Sequence, residues 1–588
     1  MAVTKKRWTN TTWRVWLVVA AMGLGTIVVT LRLAQLQIID HSEYAAEARL
    51  THISEVTLND RRGALLDRSG YPLAASQTAY NVMVERDNWT DPATAAAAAQ
   101  QLSEATGVPA QDMLRIVATV NVFEVPVAKN IDYSKAVAVR DLALPGVRLL
   151  ESPQRVYPEG NIAAQLLGYV GQDNTGLTGL ESDLNSVLGG AEGSLTYERD
   201  GLGREIAVGD RVETPPEPGA NVVLTIDRYI QRLAEQELDS AIKAHQASGG
   251  TIIIVQPRTG EVLAMASRPT FDITKPDLSS DSVLALFRNR AITDAYEPGS
   301  VFKLFTTAAA LDQGLVNPGT SWYDSGEVDF GDWTIRNWDN SANGEQTVQD
   351  ILTKSLNTGA AWLSSVCGPD VFYDYVSRFG FGASTASGLS GEVDGTVRSP
   401  VSDPANWASV DMATNAFGQG LSATPLQVAM ALAAIANGGT LMKPQFVKQI
   451  VGPLDTQTIA PESIRQVMSP ETSRTLLDMM GVVADNASKS LLDVQGYRVG
   501  GKSGTANIAD PNGGYKPDTY ISSYAGVAPL DNPQIAVLVK IDEPKDVPWG
   551  TVVAAPAFDH IAEQVLAYLK VPPTEPVAVS NLGNNDEG

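Results

Sequence analysis

The chain has 588 residues, of which 44% are hydrophobic and 19% charged, a globular balance with enough core material for two or three domains. The formal net charge of -24 argues against nucleic-acid binding, because a phosphate backbone needs a basic face. The single cysteine, Cys367, excludes an intrachain disulfide, and its apolar neighbours predict a buried structural thiol.

The first residues in the chain predict a membrane anchor. The segment "MAVTKKRWTNTTWR" has basic but no acidic residues, and an uncharged apolar run follows from Val15 to Leu31. At about 1.5 Å per residue this run spans about 26 Å, close to the thickness of a bilayer core. A cleavable signal peptide is the alternative, but its apolar region is shorter and no small-residue cleavage site follows promptly. We predict a cytoplasmic tail over 1–14 and a single transmembrane helix over 15–36, with the remainder outside the cytoplasmic (inner) membrane.

The next part, residues 37–214, predicts a mixed α+β module close to the membrane. "RRGALLDRSGYPLAAS" is typical of two strands joined by a turn at Ser69-Gly70. A helix follows, with Asp91 as its N-cap and Gly107 as its stop. Proline and glycine cluster in "ETPPEPGAN", which is the clearest domain boundary in the chain.

Residues 215–570 predict a large α/β domain. "NVVLTIDRYIQRLAEQELDSAIKAH" changes from a strand pattern to a long amphipathic helix, and "GGTIIIVQPRTGEVLAMAS" is typical of a hairpin. "YISSYAGVAP" and "QIAVLVKIDEP" predict two more strands, followed by a helix, so strands lie at both ends of the domain and helices in its middle. The polar, proline-containing residues 571–588 predict a disordered tail.

One short segment, "GYRVGGKSGTAN" from Gly496 to Asn507, fits two incompatible patterns. G-x-x-x-x-G-K-S is the pattern of a phosphate-binding loop, which must open a helix. Here a turn cluster, Asp510 to Gly514, follows and prevents such a helix, and almost no ATP is present outside the membrane. We therefore interpret the phosphate-loop match as accidental.

The same segment also contains K-S-G, the third motif of serine acyltransferases that react with penicillin. "YEPGSVFK" supplies the first motif, with Ser300 and Lys303 one helical turn apart on the same face. "SLN" supplies the second, with Ser355 and Asn357. Three motifs in this order within one exported domain are far more specific than any one alone.

The trio is the signature of class A β-lactamases and penicillin-binding proteins. The chain resembles class B penicillin-binding proteins, the single-span peptidoglycan transpeptidases, from about Arg61 to about Leu569. Segments such as "RRGALLDRSGYPLA", "PRTGEVLAMASRPTFD" and "GQGLSATPLQVAMALAAIANGG" carry this resemblance beyond the trio. "YEPGSVFK" and "YISSYAGVAP" are more similar to the division (septal, FtsI) type than to the elongation type.

The resemblance implies an α/β, serine penicillin-recognising (β-lactamase/transpeptidase-like) domain with a helical subdomain, behind a pedestal (dimerisation-like) module. Ser300 would be the nucleophile and Lys303 its base, since no Asp-His relay is evident. A free lysine has a pKa of about 10.4, so this one must fall by roughly three units, about 4 kcal/mol, to be mostly neutral near pH 7. Burial and the second cation, Lys502, both lower it.

The remaining site residues take their expected roles from the same resemblance. Ser355 would pass a proton to the leaving group, and Asn357 would hold the substrate's peptide amide. The carboxylate of a D-Ala-D-Ala stem peptide would lie against the K-S-G strand, and the oxyanion against the backbone N–H groups of Ser300 and Thr505. The carboxylate-binding residues would be Lys502, Ser503, Gly504 and Thr505.

The expected ligands are the stem peptide and β-lactams, and no metal or organic cofactor is implied. The expected partners are a polytopic FtsW-type glycan polymerase and other division proteins. Ala21 and Gly25 offer a close-packing patch in the anchor, although lipid-facing small residues fit equally well. Trp333 and Trp338 are candidates for lining the substrate groove. The alternatives are an elongation-type transpeptidase, a membrane-anchored β-lactamase, for which we identify no deacylating base, and an inactive division scaffold or β-lactam sensor.

Overall fold

The structure of the protein is a computed structural model that describes residues 10–42, 44, 53–58, 60–120, 122–171, 173–198, 206, 208–487, 492–510 and 512–576. These residues form two compact units. The smaller holds the described residues of Met1–Asp60, Thr78–Ser152 and Ala191–Glu217, and the larger holds those of Arg61–Gln77, Pro153–Gly190 and Pro218–Gly588. Most of the predicted cytoplasmic tail (1–9) and of the predicted disordered tail (577–588) lies outside the described residues.

The N-terminal helix runs over Asn10–Ala34 and continues as a π-helical turn over Gln35–Ile39. Its apolar span, Trp13–Ile39, has 27 residues and a mean hydropathy of 2.1, so by length and composition it can cross a membrane. The hydroxyls of Thr26 and Thr30 donate to carbonyl oxygens four residues earlier, at 2.9 and 2.8 Å. The polar groups of these side chains are therefore satisfied within the helix.

The smaller unit packs helices against antiparallel strands. The helix Pro92–Thr106 has the predicted ends: the Asp91 carboxylate accepts a hydrogen bond from Thr94 N at 2.9 Å, and Gly107 ends the helix at a φ of 81°. Val82, Leu102 and Met113 are fully buried in the core of this unit. Its helices are Pro92–Thr106, Ala110–Thr119 and Tyr133–Asp141, with a 3-10 turn at Arg86–Trp89; its strands are Ile53–Leu58, Glu124–Ile131, Gly193–Glu198 and Arg211–Thr214. Two further strands, Pro72–Glu85 and Val147–Val156, have residues in both units.

The larger unit is built on a five-stranded antiparallel sheet. Its strand order is Val262–Arg268, Gly249–Val255, Ile535–Asp542, Tyr515–Ala528 and Gly500–Ala509. The predicted hairpin and the two predicted late strands are therefore confirmed, and the K-S-G segment is an edge strand. Side chains alternate between two cores: Ile252 and Ile254 lie in one, Ile253 and Val255 in the other. Burial on both faces explains the unbroken apolar run in this strand.

Helices cover both faces of the sheet. Arg228–His245 and Ala555–Tyr568 pack on one face, and Pro425–Ala436, buried along its whole length, packs on the other. The remaining helices are Ala164–Leu167, Gly179–Asp183, Asn185–Leu188, Asp281–Leu284, Arg290–Thr293, Lys303–Asp312, Val348–Thr353, Asn357–Arg378, Ser409–Asn415, Pro470–Asp485 and Gly550–Val553, with 3-10 turns at Ala285–Phe287 and Gly299–Phe302. The remaining strands are Leu65–Leu66, Ser321–Asp324, Glu327–Phe330, Trp333–Arg336, Gly344–Thr347, Asn221–Leu224, Thr440–Met442, Val447–Val451, Thr456–Thr458 and Ser463–Gln466.

Cys367 lies before a kink in the helix Asn357–Arg378, where Gly368 has a φ of 72° and Pro369 follows. The thiol is buried, and burial raises its pKa to about 12. This agrees with the predicted structural role.

A buried ion cluster joins early segments of the larger unit. Glu181, with none of its surface exposed, accepts hydrogen bonds from Arg62 Nε at 2.6 Å and Arg155 Nε at 2.7 Å. Arg155 Nη1 also donates to the Gly63 carbonyl oxygen at 2.7 Å. One carboxylate therefore compensates two buried guanidinium groups.

Candidate active site

The nucleophile candidate lies on a tight turn against the edge strand. Ser300 belongs to the 3-10 turn Gly299–Phe302, which leads into the helix Lys303–Asp312, so it lies just before the α-helix. Gly299 has a φ of 57°, and a Cβ there would lie 3.0 Å from the Thr505 carbonyl oxygen. Glycine therefore permits both the turn and its contact with the edge strand.

A second glycine, Gly504, lies on the edge strand at the same contact. A Cβ on Gly504 would lie 2.5 Å from Ser523 Oγ and 2.8 Å from the Pro298 carbonyl oxygen. A side chain at this position would push the edge strand away from the turn that carries Ser300. Gly504 thus allows the first and third motifs to lie in contact.

Lys303 is completely buried, and its amine joins the first motif to the second. Nζ donates to the Ser355 carbonyl oxygen at 2.6 Å and to Asn357 Oδ1 at 2.8 Å, and it lies 3.3 Å from Ser355 Oγ. Burial, and secondarily the charge of Lys502, lowers the pKa of Lys303 well below 10.5. These are the two causes that the sequence predicted.

In its neutral form, the Lys303 amine would keep one lone pair that these two contacts do not use. A neutral amine has two protons, and the two closest acceptors, a carbonyl and an amide oxygen, cannot donate in return. The lone pair is then available to accept a proton from a hydroxyl. In the part of the chain that the structure describes, no hydrogen bond joins Ser300 Oγ to Lys303.

The second motif adopts a constrained backbone. Ser355 has a φ of 58°, in the left-handed region, and this turns its carbonyl oxygen toward Lys303. Asn357 begins the helix Asn357–Arg378, its backbone N–H donates to Asn337 Oδ1 at 3.0 Å, and its Nδ2 donates to the Arg336 carbonyl oxygen at 3.1 Å. Asn337 was missed by the sequence analysis, because an asparagine in a polar loop carries no distinguishing pattern.

The third motif supplies a second buried lysine. Lys502 is 2% exposed, its Nζ donates to the Ser503 carbonyl oxygen at 3.1 Å, and burial lowers its pKa to about 8. The surrounding segment is strand throughout Gly500–Ala509. A phosphate loop requires a helix N-terminus at this point, so the strand agrees with the K-S-G interpretation.

The three motifs meet around one cavity of about 600 Å³. Five of the eight predicted site residues line it, whereas Lys303, Lys502 and Gly504 lie behind its wall. Trp338 and Trp549 also line it and contact each other edge-to-face, with ring centroids 5.2 Å apart. Trp333, the other predicted groove residue, is not part of the lining. The full lining is Gly299, Ser300, Trp338, Lys354, Ser355, Asn357, Phe417, Gln419, Ser503, Thr505, Asn507, Tyr520, Trp549, Gly550 and Thr551.

The hydroxyl of Thr505 is engaged within the protein. It donates to the Pro548 carbonyl oxygen at 3.1 Å. To donate to a substrate carboxylate, as the sequence predicted, this hydroxyl must first rotate away from Pro548.

Comparison with known proteins agrees with this geometry. The penicillin binding protein transpeptidase domain matches residues 250–563, and the penicillin-binding protein dimerisation domain matches residues 57–224. The chain belongs to the penicillin-binding protein transpeptidases. The predicted family and fold class are thereby confirmed.

Individual relatives match over most of the chain. Peptidoglycan D,D-transpeptidase FtsI of Escherichia coli is 31% identical over 581 residues, covering 95% of this chain and 92% of that protein. Stage V sporulation protein D of Bacillus subtilis is 33% identical over 555 residues, covering 93% and 84%. Among solved structures, penicillin binding protein 2X from Streptococcus thermophilus superposes with a TM-score of 0.76 at 25% identity, covering 87% of this chain and 80% of that chain. Penicillin binding protein 3 from Mycobacterium tuberculosis, complexed with ampicillin, gives 0.68 at 27% identity, covering 89% and 98%.

Proposed function

We propose that this chain is a peptidoglycan D,D-transpeptidase that cross-links stem peptides through an acyl-enzyme on Ser300. The observation that carries the proposal is the buried amine of Lys303, which is bonded to Ser355 and Asn357 beside the cavity that Ser300 lines, and whose pKa is lowered by burial and by Lys502. A neutral amine at this position is the base that a serine nucleophile requires. The relation to proteins named D,D-transpeptidases supports the same activity.

The reaction proceeds in two acyl transfers. Ser300 Oγ attacks the carbonyl carbon of the penultimate D-Ala as its proton passes to Lys303 Nζ. The C–N bond to the terminal D-Ala then breaks, and Ser355 returns the proton to the leaving amine. An amine of a neighbouring stem peptide attacks the ester, transfers its own proton back through the same groups, and releases Ser300. The backbone N–H groups of Ser300 and Thr505 stabilise the oxyanion in both steps, and losing one such donor costs about 10²–10³ in rate.

Substrate binding follows from the cavity wall. Asn357 holds the peptide amide of the donor, and the substrate extends along the open edge of the strand Gly500–Ala509. Lys502 attracts the terminal carboxylate, and Ser503 and Thr505 donate to it. β-Lactams occupy the same position and acylate Ser300, in keeping with the related structure solved with ampicillin.

The cellular setting is part of the proposal. We place residues 1–14 in the cytoplasm, the anchor over 15–36, a pedestal over 37–214 and the transpeptidase domain over 215–570 on the outer side of the membrane. The basic N-terminal flank supports this orientation. The relation to FtsI supports the septal type. An FtsW-type polymerase is the partner that we propose.

A fluorescent penicillin tests the activity directly. The purified full-length protein is labelled beside Ser300→Ala and beside Ser279→Ala, which changes an exposed serine outside the cavity. We expect label that persists for hours in the unsubstituted protein and in Ser279→Ala, and none in Ser300→Ala. Label shed within seconds would identify a β-lactamase, and no label in the unsubstituted protein would contradict the proposal.

A further inference from the structure

Asp324 is a fully buried carboxylate that accepts four hydrogen bonds. Its Oδ2 accepts from Asn337 Nδ2 at 2.8 Å and from Asn343 Nδ2 at 2.7 Å. Its Oδ1 accepts from Thr358 Oγ1 at 2.8 Å and from Gly326 N at 2.9 Å. Burial raises the pKa of this carboxyl, but the four donors outweigh burial and leave the pKa below 3.8. Asp324 is therefore a charged and fully satisfied acceptor at neutral pH.

Asn337 is oriented by that carboxylate. Because its Nδ2 donates to Asp324, its Oδ1 must face the other way, toward the start of the helix Asn357–Arg378. There Oδ1 accepts from Asn357 N at 3.0 Å and from Thr358 N at 3.3 Å. The residue at the N-cap position, Leu356, provides no side-chain cap. Asn337 Nδ2 also donates to the Ser341 carbonyl oxygen at 3.0 Å. Asn337 thus caps this helix from a distant loop, and Asp324, the charged one of its two acceptors, is the side chain that orients the cap.

Asn357 is the first residue of the capped helix. Its backbone N–H donates to Asn337 Oδ1, and its Nδ2 donates to the carbonyl oxygen of Arg336, the residue before Asn337. These two contacts direct Oδ1 to Lys303 Nζ, 2.8 Å away. An unbroken chain of hydrogen bonds therefore runs from Asp324 through Asn337 and Asn357 to the base.

We infer that Asp324 and Asn337 are positioning residues of the acylation site, which fix the side-chain amide of Asn357 toward Lys303 and toward the substrate. The inference rests on the proposed function, since it assigns these residues to the same reaction. Neither residue lines the cavity, so their effect on the reaction must pass through Asn357. A misplacement of about 1 Å at reacting groups can reduce a rate by about 10²-fold.

The test is the rate of acylation by the fluorescent penicillin in Asp324→Asn. This change keeps the shape of the side chain but replaces one acceptor oxygen with a donor. In one orientation the new N–H group faces the Nδ2 atoms of both Asn337 and Asn343, and in the other it faces Gly326 N. We expect the first-order acylation constant at saturating penicillin to fall by about 10²-fold. The matched control is Asp329→Asn in the neighbouring strand, where an exposed carboxylate accepts from Thr334 Oγ1 at 2.6 Å; its constant should not change.

A reciprocal exchange separates positioning from a general loss of stability. In the double variant Asp324→Asn with Asn337→Asp, the new amide at 324 donates to the new carboxylate at 337, whose other oxygen still accepts from the helix. The exchange also turns a carboxylate oxygen toward the Ser341 carbonyl oxygen, which accepts from Asn337 Nδ2 at 3.0 Å in the unsubstituted protein. We therefore expect the double variant to recover part of the lost rate, and no recovery over Asp324→Asn would contradict the inference. Asn337→Ser removes the middle link and should lose as much rate as Asp324→Asn, which tests the inference even if Asp324→Asn does not fold.

The outcomes are distinct from those of the proposed function. Absence of label in the unsubstituted protein would refute the transpeptidase assignment itself. If the unsubstituted protein is labelled and folded Asp324→Asn or Asn337→Ser reacts at the same rate, only the positioning role is refuted. A rate loss that matches the loss of folded protein, measured by thermal unfolding, would also refute it.

Discussion

Acylation should become slower above pH 8, because Lys502 loses its charge there. Lys502 is buried, and burial lowers its pKa to about 8. Only the ammonium form attracts the carboxylate of a penicillin, and the charged fraction falls about tenfold for each pH unit above the pKa. At pH 9 about one tenth of the lysine is charged, so the second-order rate constant should be about tenfold below its plateau.

Lys303 should control the acidic side of the pH dependence of acylation. It must be neutral to accept the proton of Ser300, and its pKa lies well below 10.5. Raising the pH therefore favours the neutral, proton-accepting form of Lys303, which is opposite in direction to the effect on Lys502. An alkaline loss of rate can then be assigned to Lys502, whereas an acidic loss belongs to Lys303.

Lys502→Arg separates the two effects. A guanidinium remains charged beyond pH 12, so the alkaline loss should disappear between pH 7 and pH 9.5, while the plateau falls because the planar group does not fit the lysine position. The assay is the labelling rate with a fluorescent penicillin between pH 5.5 and pH 9.5. Lys243→Arg, on an exposed helix position, is the control and should keep the alkaline loss. An alkaline loss at the same pH in Lys502→Arg, or none in the unsubstituted protein, would refute the assignment.

Two further predictions concern stability. The fall in the pKa of Lys502 from 10.5 to about 8 means that the unfolded chain binds more protons between those values, so stability rises with pH there. Lys502→Met should remove this rise and increase the free energy of unfolding at pH 7 by up to about 3 kcal/mol, measured by urea unfolding; an unchanged pH dependence would contradict the cause. Glu181→Gln leaves Arg62 and Arg155 buried without a counter-charge and should cost about 3–5 kcal/mol in the same assay, whereas the exposed Glu192→Gln should not, and equal effects would contradict the argument.

Local signals in the sequence were sufficient for most of the elements. The cap at Asp91 and the stop at Gly107 were predictable because each satisfies backbone groups within a few residues of itself. The turn cluster after Lys502 was sufficient to exclude a helix there, whereas the strand Gly500–Ala509 itself was expected from the family resemblance. Such signals are short-range, and they do not depend on the rest of the fold.

The supporting residues of the site were not predictable in this way. Asp324 and Asn337 act on Asn357 across loops, and no spacing in the sequence connects them. The same applies to Trp549, which comes from a loop after the last strand and meets Trp338 only when the two sides of the cavity are assembled. Tertiary packing decides these contacts, so motifs identify the reacting groups but not the groups that orient them.

The environment of Lys502 distinguishes the two patterns that the segment Gly496 to Asn507 fits. The lysine of a phosphate loop must reach phosphate groups as an exposed charge at a helix N-terminus. Lys502 is instead buried in an edge strand, and its charge helps to lower the pKa of Lys303. Burying both amines in one wall destabilises the folded protein and lowers the pKa of both lysines, and the charge of Lys502 lowers that of Lys303 further. The proposed acyl transfer uses this difference, because a charged Lys502 would bind a carboxylate while a neutral Lys303 would accept a proton.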